Sequence, residues 1–202
     1  MNRLPLTTSA MLLTCLLLQA TASHAADPVP AGNDDGTLVI NGCPIWPYTR
    51  CPGADLRHAN LVGRNLAGAD FRGADLTRAD LRGANLSVAD LEGANLTGAK
   101  LAKATVSNAN LKKVRFFGTD LEGARFFRSD FSGAEFNGAN LEIARLDKSW
   151  FLETRFIGSD LQEAKFNQVN LQGAVFDGNV MLYSVFPSSN MVDCKGCPKG
   201  WE

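Results

Sequence analysis

The sequence predicts an all-β fold, a right-handed quadrilateral parallel β-helix of about seven coils. Residues 54–193 divide into 28 consecutive five-residue units without an insertion. The third residue of every unit is Leu, Phe, Met or Val, and the first is usually Ala. A short, strictly kept period is typical of a solenoid, in which each unit buries its apolar side chains against its neighbours.

A period of five fits neither a regular helix nor a straight strand. In an α-helix, five residues turn by about 140°, so the large apolar residues would spread over every side. In an extended strand, consecutive third positions would fall on opposite faces. The chain must therefore turn once per unit. Four near-right-angled turns close a square of 20 residues, so the 28 units form seven coils, and parallel crossovers are right-handed.

Residues 20 apart are then expected to stack along the axis of the solenoid. One face would be almost entirely Leu at its centre, and another would change from Leu to Phe halfway. The fifth position is often Gly, which suits a tight turn with positive φ. Arg64 and Asn179 occupy inward first positions and are interpreted as local irregularities of the end coils. The predicted aromatic column consists of Phe116, Phe136, Phe156 and Phe176.

Individual units carry a recognisable motif. Examples are Ala-Asp-Phe-Arg-Gly at 69–73, Ala-Asp-Leu-Arg-Gly at 79–83 and Ala-Asn-Leu-Thr-Gly at 94–98. This pattern resembles the pentapeptide-repeat family over residues 54–193. The resemblance implies the same quadrilateral β-helix. Because some members of that family resemble DNA in shape and charge and bind DNA gyrase, it also implies an alternative function, that of a gyrase-binding DNA mimic.

The first 42 residues have the layout of an export signal and a linker. Arg3 precedes the apolar run 11–18, and small residues end at Ala25. This predicts a signal peptide over 1–25, cleaved near Ala25, and a bacterial periplasmic or secreted protein. The apolar run is too short to span a membrane. Residues 26–42, rich in Pro, Gly and Asp, are predicted to be a flexible lead-in.

Four cysteines remain after cleavage, and an even number in an exported chain predicts disulfides. Cys43 and Cys51 lie in a predicted N-terminal cap, 43–53, and Cys194 and Cys197 in a predicted C-terminal cap, 194–202. One zinc ion cannot join the two pairs, because seven coils separate them by roughly 30 Å. Separate pairs, Cys43 with Cys51 and Cys194 with Cys197, are expected. A thiol-redox role for the C-x-x-C spacing at 194–197 remains an alternative.

The overall charge is balanced, but its distribution is not. The solenoid holds 16 Lys and Arg against 17 Asp and Glu, so neither a nucleic-acid binder nor a strongly acidic mimic is favoured. Stacking places several outward cations on the face whose centres run from Leu66 to Phe186. This face is a candidate site for a carbohydrate acid, a lipid headgroup or an acidic protein, although Asp147 interrupts it and chance clustering is the alternative. The residues are Arg125, Arg128, Arg145, Lys148 and Lys165, beside Phe127.

No residue pattern indicates catalysis, a metal site or a cofactor. The chain has two histidines, His24 and His58, and neither has a suggestive neighbour. The Asp and Asn residues before each centre belong to the repeat and are explained by hydrogen bonding along the coil. The sequence therefore favours an exported, non-catalytic scaffold or protein-interaction module. Its expected partner is a protein or an anionic surface component, not nucleic acid. The alternatives are the gyrase-binding mimic and the thiol-redox protein.

Overall fold

The computed structural model describes residues 37–199. The predicted signal peptide, most of the lead-in and residues 200–202 lie outside the described residues. The described chain winds into a right-handed quadrilateral β-helix, so the predicted fold class is confirmed. Residues 20 apart pair as parallel bridges from Arg50 with Asp70 to Val175 with Lys195. The ladder therefore starts four residues before the boundary expected at 54 and continues past 193.

Consecutive coils are joined by a repeating set of backbone hydrogen bonds. In one pentad, the Leu56 amide donates to the Asp75 carbonyl over 2.8 Å, and the Asp75 amide donates to the Ala54 carbonyl over 2.9 Å. The His58 amide donates to the Thr77 carbonyl over 3.0 Å. The same pattern recurs along the tube. Because an unpaired buried backbone group is costly, these bonds keep each coil in register with the next.

Most pentads contribute single bridges, but one side of the tube forms a regular sheet. β3 (Arg115–Phe117), β4 (Glu135–Asn137), β5 (Arg155–Ile157) and β6 (Val175–Asp177) pair in parallel in the order β3-β4-β5-β6. Near the N-terminus, β1 (Val39–Ile40) and β2 (Cys43–Pro44) form an antiparallel pair.

The core is a column of large third-position side chains with small first-position side chains beside them. The predicted aromatic column is confirmed, since Phe116 and Phe136 stack at 4.5 Å between ring centroids, Phe136 and Phe156 at 4.7 Å, and Phe156 and Phe176 at 4.6 Å. Two further stacks follow from the same spacing of 20 residues. They are Phe131 on Phe151 and Phe166 on Phe186.

Several first positions hold a polar side chain that is hydrogen-bonded inside the tube. The Ser149 hydroxyl donates to the Phe126 carbonyl over 2.6 Å and accepts from the Ser129 amide over 3.1 Å. Asn179 does the same for the Phe156 carbonyl and the Ser159 amide, each over 2.9 Å. Asn179 is therefore part of a repeated device and not the irregularity expected from the sequence. Arg64 does depart from the pattern, because its side chain is exposed.

The N-terminal end is covered by a hairpin. Asn41 and Gly42 both have positive φ, 47° and 78°, as a two-residue turn between antiparallel strands requires. Residues 39–42, predicted to be flexible, are therefore structured. The cover is the buried Ile45 with Cys43, whereas Trp46 is 42% exposed. At the other end, the last full coil keeps apolar side chains in solvent. These are Val180, Leu182, Tyr183 and Val192.

Candidate functional site: a basic face

The structure brings the predicted cations together on one face of the tube. Arg125 pairs with Arg145, and Arg145 pairs with Lys165, as parallel bridge partners in three consecutive coils. All three occupy the outward second position and are exposed. Arg128 and Lys148, also exposed, occupy fifth positions at the turn of the same pentads. We call these five residues, together with Phe127, the basic face.

Phe127 fixes the two turn cations relative to the rest of the face. The Arg128 guanidinium carbon lies 5.1 Å from the centroid of the Phe127 ring, and the Lys148 Nζ lies 5.6 Å from it. Both distances are within the range of cation–π attraction. The ring is 38% exposed. The face therefore presents an apolar patch bordered by positive charge.

Asp147 is the acidic side chain on this face within the described chain, and it is nearly buried. Its carboxylate lies 3.3 Å from the Arg145 guanidinium and accepts a hydrogen bond from the Asn167 amide. No ion pair within residues 37–199 involves Arg125 or Lys165. The predicted interruption by Asp147 thus affects one of the three stacked cations and leaves the other two available.

Several like charges that stack elsewhere in the solenoid are compensated by an ion pair. Arg72 bridges Asp70 and Asp90, at 2.6 Å and 3.7 Å. In the same way, Arg57 bridges Asp55 of its own pentad and Asp75 of the next coil. On the sheet of β3–β6, positive and negative residues alternate, as in the pairing of Glu135 with Arg115 and Arg155.

Like charges directly opposite one another on neighbouring strands destabilise a sheet. The run of Arg125, Arg145 and Lys165 is, within residues 37–199, the one place where three stacked cations follow each other without an acid in the column.

The compensated pairs also shift the titration of their acids. The Arg57 guanidinium donates to Asp55 and lowers the pKa of that carboxyl to about 2. Hydrogen bonds from Arg72 and Arg82 likewise lower the pKa of Asp70 and of Asp80. These acids therefore stay ionised below the usual pKa of a carboxyl group. Each is held in an ion pair with an arginine, which explains the lowered pKa without a catalytic role.

A strip of carboxylates on the neighbouring face is the feature that sequence reasoning missed. This face has its centres in the column from Leu61 to Met181, and in three consecutive coils its outward residues include five acids and no cation. The signal was available, since the same spacing of 20 that located the cations also aligns these acids. We call the set the acidic strip. It comprises Asp120, Glu122, Glu142, Asp160 and Glu163.

The cysteines form two local crosslinks. The structure joins Cys43 to Cys51, with 5.7 Å between their Cα atoms, and Cys194 to Cys197, with 5.8 Å. Cys51 occupies a third position and is buried, so the first crosslink is part of the core. Among residues 37–199, no group of three or more His, Cys, Asp or Glu side chains could hold a metal ion.

Among the concave regions of the described residues, the ones on the sheet and at the N-terminal hairpin are open to solvent. One, of about 330 Å³, lies on the sheet of β3–β6 between Phe117, Arg155 and Ile157. The other lies where the N-terminal hairpin meets the first coil, between Leu38, Ile40 and Arg64. Neither gathers a nucleophile and a base. In the described part of the chain, no helix is long and apolar enough to cross a membrane.

Comparison with known proteins identifies the family. The family model described as "Pentapeptide repeats (8 copies)" matches residues 50–87, 89–126, 107–142 and 139–178. This chain is a pentapeptide-repeat protein. The matched segments lie inside the ladder that begins at Arg50. A comparison with curated proteins found no match.

Several solved pentapeptide-repeat structures are similar to this chain, and the QnrB1 structure shows the same fold. QnrB1, a plasmid-mediated fluoroquinolone resistance protein, matches with a TM-score of 0.56 at 18% identity, covering 72% of this chain and 76% of that one. HetL from the cyanobacterium Nostoc sp. strain PCC 7120, involved in heterocyst differentiation regulation, is 26% identical over 71% of this chain and 70% of that one, with a TM-score of 0.36. A protein from the Arabidopsis thaliana thylakoid lumen is also 26% identical, over 69% and 72%, with a TM-score of 0.29.

Proposed function

We propose that this pentapeptide-repeat protein is an exported, non-catalytic scaffold that binds an anionic partner through its basic face. The observation that carries the proposal is the stack of Arg125, Arg145 and Lys165, in which only Arg145 has an ion-pair partner within residues 37–199. Stacked cations cost stability, and residues that break a local rule without a structural return are typical of functional sites. Side chains fill the interior of the tube, which leaves its outer faces for recognition.

The charge count argues against the DNA-mimic alternative. A DNA duplex carries one negative charge per about 1.7 Å of axis. A mimic of about 34 Å, the height of seven coils, would thus display about 20 negative charges. Over the same height the solenoid carries 17 Asp and Glu against 16 Lys and Arg, a net charge of −1, and the basic face lies beside the acidic strip. We therefore expect no inhibition of gyrase supercoiling. Inhibition that disappears when Asp120, Glu122 and Asp160 are neutralised would favour the mimic.

Retention on an immobilised polyanion tests the basic face. Dextran sulfate is a suitable matrix, because it offers dense negative charge without a defined sequence. The triple variant Arg125→Glu, Arg145→Glu, Lys165→Glu is expected to elute at much lower salt than the wild type. Glu is accepted at the second position of a pentad, as Glu135 shows, so the fold should persist, which circular dichroism checks.

A matched control carries the same change in net charge away from the basic face. Arg78, Lys103 and Lys113 occupy exposed turn positions on the other three faces. Glu occurs naturally at such positions, for example Glu153 and Glu163. Replacing the three control residues by Glu should lower retention only slightly. If both triple variants elute alike, binding depends on overall charge, and the proposed face is wrong.

Export is tested separately. Fractionation of cells followed by N-terminal sequencing is expected to find a periplasmic or secreted protein that begins near Ala26. An uncleaved cytoplasmic protein would contradict this part of the proposal. Thiol titration tests the redox alternative, since stable disulfides at Cys43 and Cys194 that resist mild reductant exclude turnover as a thiol oxidoreductase.

A further inference from the structure

The charges of the basic face recur at the interval of the fold itself. Arg125, Arg145 and Lys165 occupy equivalent positions in three consecutive coils, and neighbouring coils are about 4.8 Å apart. A partner that meets these cations together must carry negative charge at the same interval. A second copy of this chain does so, because its own outward columns also repeat once per coil.

The face that bears the acidic strip has its own column of outward second positions in the same three coils. Asp120 pairs with Asn140, and Asn140 with Asp160, as parallel bridge partners. The two carboxylates accept hydrogen bonds from the neutral amides of Asn140 and Gln162, and neither forms an ion pair within residues 37–199. The column is therefore acidic, neutral and acidic, and both negative charges are uncompensated.

The cation column of the basic face has the complementary order. Arg145, in the middle, is already paired with Asp147. Arg125 and Lys165, on either side, form no ion pair within the described part of the chain. The acidic column of a second copy, laid against this column, would place an acid at each uncompensated cation and a neutral amide at the compensated one. Such a match of charges fixes the register of an interface.

The turns beside the two columns decide the direction of the second copy. The turn after the acidic column carries Glu122, Glu142 and Glu163, and the turn after the basic column carries Arg128 and Lys148. The faces follow one another in the same order around each tube. With the solenoids parallel, the glutamate turns of the two copies would therefore adjoin and repel. With the solenoids antiparallel, the glutamate turn of one copy adjoins the basic turn of the other, so charge complementarity selects this arrangement.

The same two faces hold most of the exposed apolar side chains of the pentads. Seven of the nine large apolar side chains that are exposed there lie on one or the other face, and the exceptions are Trp150 and Val192. Three of the seven, Val180, Leu182 and Tyr183, form a patch directly beyond the acidic strip. Contiguous exposed apolar patches mark interaction surfaces, so the contact can bury apolar area as well as pair charges.

We infer that the basic face binds the acidic strip of a second copy of this chain, with the two solenoids antiparallel and in register at the coil of Arg145. This inference rests on the proposed function and names its anionic partner. Each contact leaves one basic face and one acidic strip of the pair unused, so the contact recurs with further copies. A heterologous contact that does not close on itself generates an open assembly.

Two charge-reversed variants and their mixture test the contact by sedimentation equilibrium of the purified protein. The double change Arg125→Asp, Lys165→Asp makes both columns acidic, and Asp120→Lys, Asp160→Lys makes both basic. The wild type is expected to show an average mass that rises above that of one chain as concentration increases. Each variant alone should associate at least tenfold more weakly. An equimolar mixture of the two should recover association, because a basic column again meets an acidic one.

The fold should tolerate these changes, since Asp80 and Lys100 occupy second positions naturally. The matched control is Arg78→Asp, Lys113→Asp, which alters net charge as much as the first variant but lies on the other two faces. Asp193 shows that Asp is accepted at such a turn position. The control variant should associate as the wild type does.

Three outcomes would overturn the inference: a wild type that keeps the mass of one chain at all concentrations, a mixture of variants that does not associate, or a control variant as weak as the other two. Retention on dextran sulfate separates this failure from that of the proposed function. If the wild type does not self-associate but is retained through Arg125 and Lys165, the anionic partner is a different molecule and the proposed function stands. If it is not retained at all, the proposed function fails as well.

Discussion

The fifth residue of each pentad adopts positive φ whatever its side chain. Glycine fills many of these positions, as predicted, but Val88 and Ile143 also adopt φ of 62° and 53°. A β-branched residue in the left-handed region is strained. The turn is therefore imposed by the stacking of the coils, because the fifth-position amides from His58 to Gly173 are bonded to the next coil, as the Val88 amide is to the Ser107 carbonyl.

Relief of this strain should stabilise the protein. Val88→Gly removes a left-handed cost of about 1–2 kcal/mol and loses about 0.5–1 kcal/mol to the greater freedom of unfolded glycine. We expect a net gain of up to about 1.5 kcal/mol in the free energy of unfolding, measured by denaturant titration. Val62 is the matched control, since it is similarly exposed but lacks positive φ. Val62→Gly should destabilise, and equal effects of the two changes would contradict the strain.

The buried hydroxyl groups predict a second effect of single residues. Ser149→Ala leaves the Phe126 carbonyl and the Ser129 amide without their partner, which should cost about 1–3 kcal/mol of unfolding free energy. Ser132→Ala is the comparison, because that hydroxyl bonds only the half-exposed carboxylate of Asp130. A change within about 0.5 kcal/mol is expected there. Thermal melting of both variants measures the difference.

At the scale of the single pentad, the second position has two functions. Its Asp or Asn side-chain oxygen accepts a hydrogen bond from the backbone amide two residues later, as Asp70 does from the Arg72 amide over 3.3 Å. This caps the turn locally. Asn side chains also donate along the axis, as Asn110 does to Asp90 over 3.0 Å. The hydrogen bonding along the coil expected from the sequence is therefore present. Asp and Asn both occur at the second position because either side chain offers the oxygen that accepts from the amide two residues later.

The acid–arginine pairs make stability depend on pH. The pKa values of Asp70 and Asp80 are lowered in the folded protein, so their contribution is fully present above the unfolded pKa near 3.9. It is lost as pH falls through the folded pKa. Asp70→Asn with Asp80→Asn keeps the turn acceptor and removes the charge. The stability difference from wild type should be largest near neutral pH and shrink below about pH 4, as followed by urea unfolding. A difference that does not change with pH would contradict the pairing.

At the scale of the whole molecule, function depends on register. The side chain of any third position can stack on that of any other, because all are apolar. The columns of outward side chains, however, exist only while residues 20 apart in the chain lie next to each other in neighbouring coils. A solenoid gains stability mainly between neighbouring coils. The same fold can therefore carry different surfaces when whole pentads are added or removed.

Two deletions separate fold from surface. Removing residues 84–103, one complete coil, should preserve the β-helix and retention on dextran sulfate, since the three stacked cations lie downstream. Removing residues 134–138, a single pentad, should also preserve the β-helix. It rotates Arg125 away from Arg145, however, and places it against Trp150. Retention should then fall although no cation is lost. Equal retention of both deletion variants would show that the column is not the binding unit.

The sequence by itself determined the fold class and which residues point inward, because an odd period with an apolar centre allows few geometries and repeats 28 times. The spacing of 20 also predicted that Arg125, Phe127 and Arg145 share one face. Individual side-chain and turn contacts were decided only in the tertiary structure. These contacts include the ion pair of Asp147 with Arg145, the hydrogen bond by which Asn179 accepts from the Ser159 amide of the preceding coil, and the hairpin that begins at residues 39–42. The Asn179 contact joins residues 20 apart, and the hairpin depends on a turn outside the repeat, so the five-residue pattern specifies neither.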